Sequence, residues 1–386
     1  MTHIRDFSFN GELSHSVISQ ICLSYLLQFN TSEPLDGINL KVASPLANYA
    51  AEHWISHTHS SRKNSFQSSI VLTLIMKLFR DGNATFLNWV ELCNIDKMYS
   101  RQPQGPRDQI AKPLYYASLA GLTEASHNLL ELGADVNAEG GNCGTALCAA
   151  SRRGHGAIAK LLIEKGADVN AQGGHYGNAL YAASTRGYEA LAKLLIEKGA
   201  DVGAQGGYYG NALVAASNEG HEALAKLLIE KGADVNAQRG AHGNALYVAS
   251  NRGDKALAKL LIEKGADVNA EGGYYRNALV AVSNQGHEAL AKLLIEKGAD
   301  VNAQEEDHGN ALYAASKRGH EAIARLLIEK GADVNAQGGY YKNALLAASN
   351  NGHETLAKLL IEKGADVNAQ EEDHGNALYV ASKRDC

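Results

Sequence analysis

Three histidines near the amino terminus are spaced as metal ligands can be. His53 and His57 are four residues apart, and His59 follows two residues later. Imidazoles one helical turn apart are typical zinc ligands. Apart from Glu52, however, no carboxylate or cysteine lies nearby to complete a site, and the polar run Ser60 to Ser65 follows. We therefore expect solvated surface histidines and no metal site.

The cysteines and the recurring His-Glu pairs form no recognisable catalytic site. Cys143 and Cys148 lie close in sequence, but no second Cys or His pair accompanies them to complete a zinc site. Pairs such as His221-Glu222 do not belong to a His-Glu-x-x-His motif, and no serine or cysteine lies in a nucleophile motif. Five cysteines without regular pairing are typical of a reducing compartment. The sequence predicts a non-enzymatic protein that binds neither a cofactor nor a metal.

Tyrosine pairs recur in glycine-rich stretches, and tyrosine is suited to recognition because it combines a large contact area with a polar group. The pairs begin at Tyr208, Tyr274 and Tyr340, and they alternate with histidine-containing stretches at His242 and His308. Adjacent tyrosines in a turn cannot both be buried, so we expect a binding role. The predicted partner-binding residues are Tyr176, Arg186, Tyr208, Tyr209, His242, Arg252, Tyr274, Tyr275, His308, Arg318, Tyr340 and Tyr341.

A second set of tyrosines follows the same 66-residue rhythm. Tyr181, Tyr247 and Tyr313 are each followed five residues later by an arginine, whereas the intervening units carry aliphatic residues at the tyrosine position. Two interpretations are open. The favoured one is that these tyrosines fill space between units of a duplicated block. The other is that they form a striped binding surface, with the arginines as charged anchors.

The elements that position these residues belong to a repeat. Gly-Ala-Asp recurs eight times from Gly133 to Gly364, always 33 residues apart. Within each period, a short Ala-rich segment such as 178–186 predicts a first helix, and the amphipathic segment 189–198 predicts a second. A glycine-rich tract then carries the chain to the next unit. A fixed period of this length indicates a stack of supersecondary units.

These features resemble the ankyrin repeat, to which the GADVNA and Gly-His elements are specific. The resemblance implies an all-α solenoid of helix-turn-helix units joined by hairpins, whose concave hairpin and first-helix face binds protein partners. Two departures stand out. Asn-Ala-Leu-Tyr at Asn178 replaces the usual Thr-Pro-Leu-His, and Gly173 and Tyr176 replace the usual Asp and Gly of the hairpin, which puts the tip geometry in doubt.

The domain organisation follows from a change in composition. Residues 1–100 are predicted to be helical, over 13–29, 45–59, 67–80 and 84–95, and to cap the first repeat; residues 101–113 form a Pro-rich linker. The array occupies 114–386, with about eight repeats and a truncated half repeat at its end. CLSYLL, PLANYAAEHW and FLNWVELC resemble the helical region after the NACHT module of fungal NACHT-ankyrin receptors, of the STAND or NLR-like kind, although the sequence contains no phosphate loop.

Charge and hydropathy exclude other classes. A net charge of -6 provides no positive footprint for nucleic acid. Residues 1–10 do not resemble a signal peptide, and the longest apolar run, 70–79, is too short to span a bilayer. We expect a soluble protein of the cytoplasm, with the nucleus as the alternative. We expect a monomer unless the uncapped carboxyl-terminal end associates, and fast amide exchange past about residue 370.

Two functions remain open at this point. The favoured one is a protein-interaction scaffold that binds a protein partner on its hairpin and first-helix face. The alternative is the carboxyl-terminal sensor fragment of a nucleotide-driven receptor in self/non-self recognition and signalling. The sequence does not identify the partner.

Overall fold

The computed structural model describes residues 11–29, 45–61, 65–80, 84–93, 110–238, 242–304, 309–369 and 376–382. Within these ranges all regular secondary structure is helical. The chain forms two compact units. The first comprises residues 1–201 and 206–208, and the second comprises residues 202–205 and 209–386. None of the described helices is both long and apolar enough to cross a bilayer.

Four helices precede the repeats, close to the positions that the sequence predicts: Gly11–Leu26, Pro45–Ser60, Ser65–Leu78 and Ala84–Leu92. Their core is aromatic. Trp54, Phe79 and Trp89 are almost completely buried. The two indole rings meet edge to face at 5.7 Å, and the Trp89 indole N–H donates to the Ala51 carbonyl at 3.2 Å. Such a large buried aromatic area is a strong local source of stability, although the buried Trp54 indole N–H has no hydrogen-bond partner among the described residues.

This helical bundle lies against the first repeat. The rings of Phe86 and Trp89 pack edge to face on Tyr116, at 5.7 Å and 5.9 Å. The bundle therefore covers apolar surface that the first repeat would otherwise expose, which is the task of a terminal cap in a repeat array.

The histidines of the second helix differ from the sequence-based expectation. His53 is exposed, as expected, but His57 and His59 are half-buried and hydrogen-bonded. His57 lies 2.8 Å from the Nδ1 of His15 and 3.0 Å from the Tyr49 hydroxyl, and its pKa is lowered, chiefly by burial. The expectation of solvated histidines is therefore wrong for two of the three. The polar sequence around them did not reveal that a second helix covers this face.

Each repeat consists of two antiparallel helices, which we number from 1. Repeats 1 to 3 lie in the first unit; their helix pairs are Pro113–Leu119 and Thr123–Glu131, Ala146–Arg153 and Gly156–Glu164, and Ala179–Ser184 and Glu189–Glu197. Repeats 4 to 8 lie in the second unit; their pairs are Ala212–Glu219 and Glu222–Glu230, Ala245–Arg252 and Lys255–Glu263, Ala278–Gln285 and Glu288–Glu296, Ala311–Arg318 and Glu321–Glu329, and Ala344–Asn351 and Glu354–Glu362. A further helix, Ala377–Ser382, follows.

The first helix of repeat 3 begins one residue later than the sequence predicts. Asn178 has an extended backbone, and its side-chain oxygen accepts the backbone N–H of Tyr181 at 2.8 Å. It is therefore the N-cap of helix Ala179–Ser184 and not its first residue. Asn244 and Asn310 repeat this geometry. The Asn that departs from the usual Thr-Pro-Leu-His pattern thus performs the capping task of the threonine that it replaces.

A second asparagine links successive repeats. In repeat 6, Asn302 donates from its side-chain nitrogen to the Gly331 carbonyl at 3.1 Å and accepts the backbone N–H of Asp333 at 2.8 Å. The same pair of bonds recurs from Asn137 and Asn170 in the first unit and from Asn236, Asn269 and Asn335 in the second. The GADVNA element is therefore the link between neighbouring repeats within each unit.

The last helix differs from its counterparts. Tyr379 is 50% exposed, whereas the equivalent Tyr247 and Tyr313 are buried. The side chains of Leu378 and Ala381 lie outside the described residues, so the predicted fast exchange past residue 370 stays a prediction.

Candidate interaction surface

The tyrosine pairs lie at the hairpin tips, and the two members of a pair have different environments. Tyr274 is 67% exposed and Tyr340 is 66% exposed, whereas Tyr275 and Tyr341 are half-buried. In both pairs the rings meet edge to face with centroids 5.0 Å apart. Tyr208, at the end of the first unit, is 71% exposed. The outer tyrosine of each tip is therefore presented to solvent while the inner one is packed.

The inner tyrosines are fixed by hydrogen bonds to the following first helix. The hydroxyl of Tyr275 accepts from the Asn284 side-chain nitrogen at 2.9 Å. The hydroxyl of Tyr209 donates to the Glu219 carboxylate at 2.9 Å, and its ring packs edge to face on His242 at 5.3 Å. The hydrogen bonds hold each tip against its own repeat, and the ring contact joins Tyr209 to the hairpin of the next repeat.

In the tips that contain Tyr275 and Tyr341, a tyrosine of the preceding repeat accepts a backbone hydrogen bond from the tip. The hydroxyl oxygen of Tyr247 accepts the backbone N–H of Tyr275 at 3.1 Å. Its ring lies so close to Gly273 that a Cβ there would be 2.2 Å from a ring carbon. A side chain at position 273 would thus displace the ring. Tyr181, Tyr247 and Tyr313 are all buried, which confirms the interpretation that they fill space between repeats.

Burial also affects the ionisation of these tyrosines. The pKa of Tyr247 is raised because the phenol is desolvated, and the backbone N–H groups that donate to it lower the pKa only in part. The pKa of Tyr313 is raised for the same reason. Both phenols therefore stay neutral at physiological pH, because desolvation disfavours the phenolate.

A buried apolar cluster connects the tips with the first helices of the second unit. Its core consists of Val214, Tyr247, Val248 and Ala281, and the rings of Tyr209 and Tyr275 pack against it. The cluster thus holds the inner tip rings against the first helices, and the exposed outer rings of the tips are the aromatic groups that a partner can contact. Exposed tyrosine rings are typical of protein recognition sites.

The tip backbone contains two unusual residues. Arg276 and Lys342 have φ of 67°, whereas the other described residues with positive φ are glycines. The backbone N–H of Gly272 donates to the Arg276 carbonyl, and that of Gly338 to the Lys342 carbonyl, so the tip is a tight turn. A non-glycine residue in the left-handed region costs roughly 1 to 2 kcal/mol. Each tip with a cation thus carries strain beside an exposed tyrosine.

The predicted arginine anchors serve partly structural roles. Arg252 donates to the Asn218 carbonyl of the preceding repeat at 2.6 Å, and Arg318 donates to the Asn284 side-chain oxygen at 3.2 Å. Both side chains are nevertheless exposed. Arg186 is exposed as well, and its side chain makes no hydrogen bond or ion pair with any other described residue.

Tyr176 and His308 are also predicted contact residues. Tyr176 is half-buried, because the Arg152 guanidinium stacks on its ring at 4.2 Å from the centroid. His308 lies outside the described residues. No group of three or more His, Cys, Asp or Glu side chains in the described ranges is arranged to hold a metal ion.

Sequence reasoning missed several residues of this surface. Asn284 and Glu219 fix the inner tyrosines, and Arg276 and Lys342 sit at the tips. The signal for the last two was present, since Arg276 and Lys342 replace a glycine that most other units keep at the same position. Asn284 and Glu219 gave no signal, because their partners lie nine or ten residues away across a turn.

The comparisons with known proteins agree with this architecture. A family model described as ankyrin repeats (3 copies) matches residues 75–173, 114–206, 180–272 and 246–338, and one described as ankyrin repeats (many copies) matches 344–385. A curated Monascus ruber protein, "Azaphilone pigments biosynthesis cluster protein L", is 40% identical over 167 residues, which are 40% of this chain and 34% of that protein. The chain thus spans about a third of that relative's length.

Solved structures include a similar chain. The crystal structure of the human ASB11 ankyrin repeat domain aligns with a TM-score of 0.48 and 25% identity. The alignment covers 57% of this chain and 98% of that one.

Proposed function

The chain belongs to the ankyrin-repeat family, and from this premise we propose that it is a non-enzymatic scaffold that binds a protein partner. The partner binds the hairpin and first-helix side, where the exposed tip tyrosines supply the main contacts. Members of this family generally present such surfaces to other proteins. Fold alone does not define the contact residues, so the proposal depends on the geometry of the tips.

The observation that carries the proposal is the exposure of Tyr274 and Tyr340 on a fixed support. Each ring keeps about two thirds of its surface in water although its neighbour, Tyr275 or Tyr341, is anchored. Exposed aromatic rings gain free energy when a partner covers them. Because the supporting residues are already ordered, binding loses little conformational entropy. Aromatic residues on ordered supports are typical hot spots of protein interfaces.

The charge around the tips favours a protein over a nucleic acid. Arg276 lies 3.9 Å from the Glu271 carboxylate, and Glu219 lies beside Tyr209. Acidic groups next to the cations weaken the attraction for a phosphate backbone, whereas mixed polar and aromatic groups suit a protein surface.

The test uses tip variants that leave the fold intact. Tyr208, Tyr274 and Tyr340 are replaced together by alanine, and a matched control replaces the exposed second-helix residues Lys193, Lys226 and Lys292 by alanine. Both proteins serve as bait in quantitative affinity purification, with the folded state checked by circular dichroism. A specific protein should be enriched by the natural chain and the control and lost with the tyrosine variant. Equal recovery with the tyrosine variant rejects this face.

A second candidate function rests on the amino-terminal helices. The segments CLSYLL, PLANYAAEHW and FLNWVELC, whose pattern resembles NACHT-ankyrin receptors, lie on helices Gly11–Leu26, Pro45–Ser60 and Ala84–Leu92. The last two supply Trp54 and Trp89 to the bundle that packs on repeat 1. In this proposal the array senses a ligand and restrains or triggers an ATPase module. A phosphate loop encoded in frame upstream of Met1 supports it, and an upstream sequence without one rejects it.

A further inference from the structure

Three arginines of the first unit converge on one small cavity between repeats 2 and 3. Arg152, Arg153 and Arg186 line it together with Tyr188, and no carboxylate does. We propose that this cavity binds a phosphate group carried by a side chain of the protein partner. The identity of the carrier rests on the proposed function, whereas phosphate binding at the cavity does not.

The size of the cavity limits what it can hold. Its volume is about 140 Å³, whereas pockets for drug-sized molecules occupy about 300 to 1,000 Å³. It therefore suits one ionic group and not a nucleotide. The chain as a whole has a net charge of -6, so three cations without a lining carboxylate are a local feature.

Arg152 provides a fixed, buried charge at the cavity. Its side chain is only 2% exposed, and its guanidinium is stacked on Tyr176 and lies 4.0 Å from the Cys143 sulfur. A guanidinium stays charged at all physiological pH values. Burying a charge costs free energy unless another group compensates it. The ring of Tyr176 contributes to this compensation, and a bound anion would add to it.

A purely structural role accounts for only part of the cluster. Arg152 and Arg153 occupy the last turn of helix Ala146–Arg153, where cations stabilise the helix dipole. That role does not require Arg186, which comes from the following repeat. Its counterpart in repeat 5, Arg252, donates to a carbonyl of the preceding repeat. Arg186 makes no such bond among the described residues, and it lines the cavity.

Tyr188 is also specific to this junction. Five other repeats carry a histidine at this position: His155, His221, His287, His320 and His353. His320, for example, contacts the Asn284 carbonyl of the preceding repeat at 3.2 Å. The Tyr188 ring packs on Gly154, where a Cβ would lie 2.7 Å from it, just as the His320 ring packs on Gly286. The replacement of histidine by tyrosine therefore places a phenol, whose hydroxyl can donate, among the residues that line the cavity.

This donor set matches a phosphate monoester. Guanidinium groups bind tetrahedral oxyanions through paired, charge-assisted N–H···O bonds, and these are among the strongest hydrogen bonds in proteins. A phosphorylated side chain has nearly two negative charges at neutral pH and three acceptor oxygens, enough for three arginines and a phenol. A carboxylate has one charge and two oxygens, and would leave part of the donor set unused.

The first experiment measures binding of inorganic phosphate to the full chain by isothermal titration calorimetry at pH 7.5. Arg186→Gln should weaken the affinity about tenfold or more, because a charge-assisted contact is lost. Lys193→Gln, which removes an exposed charge from the second helix of the same repeat, should leave it unchanged. Absence of saturable binding to the natural chain, or equal affinity in the Arg186 variant, overturns the site.

The second experiment identifies the source of the phosphate. An otherwise neutral peptide with one phosphoserine should compete with inorganic phosphate, and the same peptide with serine should not. A chain that binds inorganic phosphate but not the phosphopeptide overturns the protein-borne source. Partner capture by the tip tyrosines is measured separately, so failure of that proposal leaves the phosphate result interpretable.

Discussion

The hydroxyl oxygen of Tyr313, in the first helix of repeat 7, accepts the backbone N–H of Tyr341 in the hairpin of repeat 8, at a distance of 3.1 Å. Tyr247 and Tyr275 form the same pair one period of 66 residues earlier. A buried residue of one repeat thus positions the aromatic tip of the next. The alternation of tyrosine and aliphatic first helices therefore has a structural cause, since only the tyrosine reaches the following tip.

Replacing Tyr313 by phenylalanine should remove this support without changing the packing of the ring. The N–H of Tyr341 would lose its acceptor in a half-buried site, and we expect a loss of about 1 to 2 kcal/mol in the free energy of unfolding. Urea denaturation at pH 7 measures the loss. Amide exchange at Tyr341 should also accelerate.

Tyr340→Phe is the matched control, since Tyr340 is exposed and lies one residue away. It should leave both measurements close to those of the natural chain. If Tyr313→Phe behaves like the control, the hydrogen bond does not support the tip.

Alkaline pH should weaken the second unit through the same tyrosines. The pKa values of Tyr247 and Tyr313 are raised in the folded state because burial disfavours the phenolate. Their contribution to stability is complete below the unfolded pKa of about 10. It is lost as the pH rises from there through the folded pKa, at up to about 1.4 kcal/mol per pH unit for each tyrosine. Unfolding midpoints measured between pH 9 and 11.5 report this loss.

Lysine side chains also lose their charge in this pH range, since their ordinary pKa is about 10.4. A double variant separates the contribution of the two buried phenols from theirs. Tyr247→Phe with Tyr313→Phe should flatten the decline above pH 10, although its stability at pH 7 is lower. The exposed pair Tyr274→Phe with Tyr340→Phe should keep the natural slope. An unchanged slope in the buried double variant contradicts the assignment.

Removal of one linking asparagine should weaken the contact between two repeats. Asn302→Ala loses one donated and one accepted hydrogen bond, to Gly331 and Asp333. Because the site is near the surface, we expect about 1 to 2 kcal/mol, at roughly 0.5 to 1.5 for each bond. Thermal and urea unfolding measure it. Gln337→Ala, at an exposed residue whose side chain is bonded, among the described residues, only to the nearby Asn335 carbonyl, should change little; an equal loss there would refute the linking role.

The sequence predicts the helices of this fold well, because a strict period repeats each helical pattern eight times. It also predicts that Tyr247 fills space between repeats. It does not predict the asparagine links, whose partners lie about 30 residues away and depend on how the repeats stack. The burial of Arg152 and of His57 is equally hidden, since a polar residue inside a polar segment gives no sign of the element that covers it.

The strained tip cations offer a last test, in which stability and binding should change in opposite directions. Lys342 has φ of 67°, a conformation that glycine adopts without strain. Lys342→Gly removes a cost of roughly 1 to 2 kcal/mol but adds freedom to the unfolded chain, which offsets about 0.4 to 1 kcal/mol. We expect a net stabilisation of about 0.5 to 1 kcal/mol in urea denaturation.

Gly243→Ala provides the reverse control at an equivalent tip position. Its φ is 70°, and a Cβ there would lie 2.9 Å from the Gly273 nitrogen, so this change should destabilise the chain by more than 1 kcal/mol. Because Lys342 is next to the tip pair formed by Tyr340 and Tyr341, the glycine variant should also bind the captured partner more weakly. The strained conformation of Lys342 would then be explained by the contribution that its side chain makes to partner binding. A stabilised variant with unchanged partner affinity would show that the cation has no part in recognition.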